Sequence, residues 1–117
     1  MSNFLSKLFS NESKPKQKDC MIIRVDIDNT ICKTPGKDYK NAVPNHNRIE
    51  RINNLYKSGH RIIYWTSRKS SSNIRELTEK QLNDWGCLYH SLEMTKPDFD
   101  LFIDDNALNA NDYFYGV

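Results

Sequence analysis

The chain is poor in the features that mark secreted, membrane-embedded or highly charged proteins. It holds three cysteines in 117 residues, Cys20, Cys32 and Cys87, an odd number with no C-x-x-C spacing. That excludes a disulfide framework, makes a zinc site a poor expectation, and fits reduced thiols in a cytoplasmic protein. No apolar run approaches the roughly 18 residues that a membrane-spanning helix needs. The apolar patch near the N-terminus, Phe4-Leu5 and Leu8-Phe9, is interrupted by Lys7 and is too short for a secretory signal. Nothing repeats internally. Net charge is also small, at +2.

Where that charge lies matters more than its size. Residues 1–19 hold four lysines, Lys7, Lys14, Lys16 and Lys18, against Glu12 and Asp19, so the excess sits in this segment. Its Ser/Lys/Pro/Asn-rich part, 10–18, reads as a flexible basic linker. Phe4, Leu5, Leu8 and Phe9 share one helical face, which fits a weak anchor or, more simply, a dispensable tail. Residues 20–117 are neutral, with 13 basic and 13 acidic side chains. A neutral body gives no electrostatic case for a large nucleic-acid footprint. At 38% hydrophobic and 27% charged residues, the composition is that of a single globular domain.

From Cys20 onward, strand and helix patterns alternate. Met21–Val25 is an apolar run suited to a central parallel strand. Residues 33–37 carry turn chemistry. Pro44 is expected in the first turn of a helix whose apolar stripe is Ile49, Ile52, Leu55 and Tyr56, with Gly59 ending it. Arg61–Trp65 reads as the second strand. Asn73 and Glu76 resemble a capping box for a second helix, with Ile74, Leu77, Leu82 and Trp85 inward and Gly86 at its end. Cys87–Ser91 and Leu101–Ile103 are expected as third and fourth strands, and Tyr113–Val117 as an edge strand. Strands alternating with helices predict an α/β fold, a parallel sheet with helices on both faces.

Such a sheet builds its sites at the carboxyl ends of its strands. Those ends carry Asp26 and Asp28, then Thr66, Ser67 and Arg68, then Asp104 and Asp105. Two carboxylates one residue apart repel, and a hard divalent cation with oxygen ligands would offset that; Mg2+ suits the set better than zinc. Read as a phosphoryl-transfer site, Asp26 is the nucleophile and Asp28 the acid and base. Thr66 holds a phosphate oxygen, Lys96 neutralises its charge, and Asp104 and Asp105 supply a metal ligand and its support. A lone D-x-D is ordinarily a turn, a lone Asp-Asp a helix cap and a lone lysine a solvated charge. Their order along the chain, each at or near a strand end, favours the chemical reading.

With Asp26-x-Asp28-x-Thr30, Thr66, Lys96 and Asp104-Asp105 in this order over about residues 20–112, the chain resembles the haloacid dehalogenase (HAD) superfamily of phosphohydrolases. Val25–Cys32, Tyr39–Pro44, Tyr64–Arg68 and Lys96-Pro97 leading to Phe102–Asp105 resemble small capless members linked to capsule and polysaccharide biosynthesis. The resemblance implies a HAD-like Rossmannoid domain over 20–117, with only a flap between Asp28 and Pro44. It implies a phosphorylated Asp26 that also ligates Mg2+, Asp28 as acid/base with its backbone carbonyl on the metal, and Thr66 and Lys96 on the phosphoryl group. Asn29, Ser67 and Arg68 join the substrate-binding set. Asp105 is the favoured further metal ligand and Asp104 the second choice. An aspartate at the Asp28 position implies a phosphatase or phosphotransferase, and the carboxylate set with the capsule-type resemblance implies a phosphatase of a small phosphorylated metabolite such as a sugar phosphate. Tyr39, Lys40, His46 and Arg68 are candidates for the leaving group, and Lys69 is an alternative cation to Lys96. An uncapped site calls for a large substrate or a neighbouring subunit in a homo-oligomer to cover it. Removal of 3′ phosphates from polynucleotides and a non-enzymatic binding module are the competing readings.

Overall fold

The computed structural model describes residues 20–117; the expected basic extension at 1–19 and its apolar face lie outside the described residues. Three parallel strands form the central sheet: β1 (Ile22–Val25), β4 (Arg61–Trp65) and β5 (Ser91–Glu93), in the order β1-β4-β5. Register sets Val25 beside Tyr64 and Trp65 beside Glu93. Two short strands, β2 (Cys32–Lys33) and β3 (Val43–Pro44), pair antiparallel and enclose a 3-10 turn at Tyr39–Asn41. The helices are α1 (His46–Lys57), α2 (Ser72–Asp84) and α3 (Ala110–Phe114). The fold is thus α/β with a parallel sheet. None of the helices among the described residues is long and apolar enough to cross a membrane.

Both long helices end by the same device. Gly59 (φ 99°) donates to Tyr56 O and His60 donates to Leu55 O; Gly86 (φ 74°) donates to Asn83 O and Cys87 to Leu82 O. A left-handed residue is needed where the chain reverses, and glycine adopts it without a Cβ clash. Each reversal feeds the chain toward the next strand. The expected stripe of α1 is realised, with Ile49, Ile52 and Leu55 buried and Tyr56 packed against the core. Ile27, Ile31, Ile62, Tyr64 and Leu82 fill the centre of that core.

Five expectations need correction. Pro44 lies in β3 paired with Cys32, and Asn45 caps α1 by accepting from the Arg48 amide at 3.1 Å. The second helix starts at Ser72 after Ser71, so Asn73 and Glu76 form no capping box at its start. The third strand is Ser91–Glu93 and not Cys87–Ser91, because residues 87–90 are the exit from the Gly86 reversal. Leu101–Ile103 forms no strand; all three residues are exposed, between a Pro/Asp-rich stretch and a polar turn. The segment expected as an edge strand at 113–117 is instead the last two residues of α3 followed by a turn; Asn109 caps that helix by accepting from the Asn111 amide.

His60 is buried, and its Nδ1 accepts from the Met21 amide at 3.1 Å. Burial lowers its pKa from the ordinary 6.5. The native imidazole is therefore neutral, and the unfolded chain binds a proton there more readily. Its stability contribution is present above about pH 6.5 and is lost as pH falls from there through the lowered native value. Thermal unfolding at mildly acid and mildly alkaline pH should show this loss in the wild type. In His60→Asn, which keeps an acceptor without a titrating ring, the difference should shrink.

Candidate active site

The site begins where β1 ends. After Val25 the chain turns, with the Thr30 and Ile31 amides both donating to Ile27 O at 3.1 and 3.0 Å. Ile27 and Ile31 are wholly buried and anchor this turn in the core, while Asp26 and Asp28, on either side of Ile27, stay half-buried at its surface. Asn29 sits at the bend with φ 61°, a conformation asparagine tolerates better than most residues. Its Oδ1 accepts from the Thr34 amide at 3.2 Å, so its carboxamide braces the turn.

Asp26 is held at both oxygens. Thr30 Oγ1 donates to Oδ2 at 2.9 Å, and Lys96 Nζ lies 3.2 Å from Oδ1. Lys96 reaches this position because its amide donates to Thr66 O at 3.2 Å, while the Thr66 amide donates to Glu93 O at 3.0 Å. Those two bonds fasten the exit of β5 to the end of β4. The Lys96 ammonium also lies within 5.7 Å of the Trp65 ring centre and 5.4 Å of that of Phe99, contacts favourable to a cation. Thr66 is buried, with Oγ1 accepting from the Arg68 amide at 3.1 Å. Ser67 is exposed beside it.

Asp28 faces another partner. Arg68 donates from Nε to Oδ2 at 2.9 Å and from Nη2 to Oδ1 at 2.7 Å, and Thr34 Oγ1 donates to Oδ1 at 2.6 Å. The Arg68 side chain is fully buried; its Nη1 donates to Thr78 Oγ1 at 3.0 Å and Gln81 Oε1 at 2.7 Å on α2. Its guanidinium lies 4.6 Å from the centre of the Tyr39 ring. Arg68 is thus engaged inward, whereas Ser67, Tyr39, Lys37 and Lys69 face open space. These, with Ile74 and Asp98, line a cavity of about 220 Å³. Burial and then the Asp28 carboxylate push the Tyr39 phenol up. His46 lies elsewhere, on a larger open trough of about 680 Å³ that also takes in Asn29, Thr30 and Lys33. Lys40 is exposed on the 3-10 turn. Thr34, Thr78, Gln81 and Trp65 were not among the expected site residues; α2 buries Thr78 and Gln81 beside Leu82, while Leu77, expected inward, is only half-buried.

Cys32 contacts the same cluster, with Sγ 3.9 Å from Asp28 Oδ1. Burial pushes its thiol up, and pushes Cys87 up to about 11, so neither is a thiolate nucleophile at neutral pH.

Asp104 and Asp105 stand apart from this arrangement. They lie at an exposed turn where Asp104 Oδ1 accepts from the Asn106 amide at 2.7 Å. Among the described residues no group of three or more His, Cys, Asp or Glu side chains could hold a metal ion. Asp26, Asp28 and the Asp104-Asp105 pair thus form no such group among the described residues. The strand expected to carry the pair to the sheet edge is not formed.

A target protein from Vibrio cholerae, solved by crystallography, has the same fold. The match has a TM-score of 0.71 at 21% identity, over 82% of this chain and 88% of that one. No family model and no curated protein matches the chain.

Proposed function

We propose that the chain is a capless HAD-type phosphatase, which hydrolyses a small phosphomonoester, such as a sugar phosphate or related biosynthetic precursor, through an aspartyl-phosphate. The observation that carries this reading is Asp26 at the end of β1, held by Thr30 and facing Lys96 across 3.2 Å. Oδ1, the oxygen beside Lys96, attacks phosphorus, and the bond from phosphorus to the leaving oxygen breaks. Lys96 offsets the charge that develops on the phosphoryl oxygens. The leaving oxygen takes a proton from Asp28. Water then attacks the aspartyl-phosphate, Asp28 takes its proton back, and the bond to Asp26 breaks to release orthophosphate. Thr66 and Ser67 bind phosphoryl oxygens, and the 220 Å³ cavity beside Ser67 and Tyr39 receives the leaving group. With only the short β2–β3 hairpin between Asp28 and α1, a bulky substrate or a neighbouring subunit would exclude water from the site.

The donors suit magnesium by chemistry, since all are oxygens. Asp26, the Asp28 backbone carbonyl and Asp105 would hold it, with Asp104 as the alternative. Bound there, it would supply further positive charge to the phosphoryl group. Holding it requires the exposed turn at 104–105 to approach Asp26.

Orthophosphate release from a panel of phosphorylated metabolites, with magnesium and with EDTA, tests the reading. Release is expected with the metal and should fall to background with chelator. Magnesium should also slow amide hydrogen exchange across residues 97–108, a readout independent of turnover. No release from any member of the panel, or release that EDTA leaves untouched, would refute it.

A further inference from the structure

We infer that Arg68 is a positioning residue that fixes Asp28 for the second half of the reaction, the hydrolysis of the aspartyl-phosphate. The inference rests on the phosphatase reading above. A guanidinium fork matches a carboxylate in one plane, so two bonds set both the place and the tilt of the Asp28 carboxyl group. The Thr34 hydroxyl adds a third donor at 2.6 Å and removes the remaining freedom about that plane. Arg68 is itself immobilised. Its Nη1 is tied to Thr78 and Gln81, and Thr78 Oγ1 donates in turn to Ile74 O at 2.7 Å. Gln81 Nε2 donates to Tyr39 O at 2.6 Å, which links the fork to the turn whose ring covers the guanidinium. A chain of bonds thus runs from α2 through Arg68 to Asp28, with a branch to the hairpin at Tyr39.

This arrangement offers the Asp28 oxygens as acceptors, the form in which a carboxylate takes a proton from attacking water. Asp26 does not share in the fork; its partners are Thr30 and Lys96. Disturbing Arg68 should therefore slow water attack more than attack by Asp26. With p-nitrophenyl phosphate, whose leaving oxygen needs little help from an acid, the two halves separate. Asp26 displaces nitrophenolate and becomes phosphorylated; water then cleaves the new bond, giving its proton to Asp28.

The test uses the full chain with p-nitrophenyl phosphate and compares wild type, Arg68→Lys, Thr34→Val, Asp28→Asn and the two combinations with Asp28→Asn. Lysine keeps the charge and loses the fork. Arg68→Lys should lower kcat by about 30-fold or more, lower KM with it so that kcat/KM stays within about threefold, and show a nitrophenolate burst with trapped phosphoenzyme. Thr34→Val should move in the same direction by a smaller factor. In the Asp28→Asn background neither substitution should have a further effect, because both act through Asp28. A rise in KM at unchanged kcat, or an equal loss of kcat with and without Asp28, would overturn the inference and place Arg68 on the substrate. If Arg68→Lys fails to fold, Thr34→Val with its double variant decides between the same outcomes. The fork is also read without substrate: a slowly exchanging Arg68 Nε–H signal in 15N spectra, lost in Asp28→Asn, supports it, and a fast-exchanging signal in wild type overturns it. A wild type with that slow signal but no nitrophenolate release supports the fork and refutes the phosphatase reading instead.

Discussion

Asp26→Asn should lower orthophosphate release by about 10⁴-fold or more, the scale seen when a hydrolase loses its nucleophile. The amide cannot form the aspartyl-phosphate, so trapped phosphoenzyme should vanish with turnover. The fold should persist. Asparagine keeps an oxygen to accept from Thr30, and what is lost is the ion pair to Lys96. Both partners of that pair are reached by solvent, at 31% and 19% side-chain exposure, and such pairs contribute about 1 kcal/mol or less. Rate and unfolding midpoint should therefore separate: the first collapses and the second shifts by a few degrees at most. A variant that retains a tenth of wild-type turnover would exclude Asp26 as the nucleophile.

Arg68→Ala is expected to act in the opposite sense, on the fold first. Arg68 is among the largest fully buried side chains of the described residues. Its removal leaves the Asp28 carboxylate without its counter-charge and strips Thr78 and Gln81 of a donor in the interior. Breaking a buried pair by deleting one partner costs about 3–5 kcal/mol. A domain of this size has about 5–15 kcal/mol in total, so this is a large share of its stability. The unfolding midpoint should fall by about 12 °C or more. Arg68→Met, which refills the volume with apolar atoms, should recover the part of the loss due to the cavity and none of the part due to the unpaired acceptors. An Arg68→Ala midpoint within about 3 °C of wild type would mean that the fork contributes little to the native state.

These two predictions differ in how far they could be read from the chain alone. Asp26, Asp28, Thr66 and Lys96 were legible because a strand end followed by acids or hydroxyls recurs in order, and the structure does bring Lys96 to Asp26. Lys96 lies thirty residues after Thr66, yet one amide-to-carbonyl bond between them is enough to place it. The Arg68 fork was hidden because an arginine at a strand end, beside the expected phosphate site, was read as a substrate contact and not as a partner of Asp28. Its burial depends on Thr78 and Gln81, which interrupt the apolar stripe of α2 and lower the apparent regularity of that helix. The β2–β3 hairpin escaped because two-residue strands have no period to detect. Leu101–Ile103 misled in the other direction. Three apolar residues in a row satisfy a strand pattern, but nothing in the pattern says whether a neighbour will pair with them.

The order β1-β4-β5 has a mechanical consequence. Among the described residues β1 is an outer strand, so the backbone leading to Asp26 is steadied from one flank only. That flank is Arg61–Tyr64, whose own far side rests on β5. The Asp26 carboxylate thus stands at the tip of a cantilever, and a flaw in the sheet interior would reach it as a loss of aim well before the protein came apart.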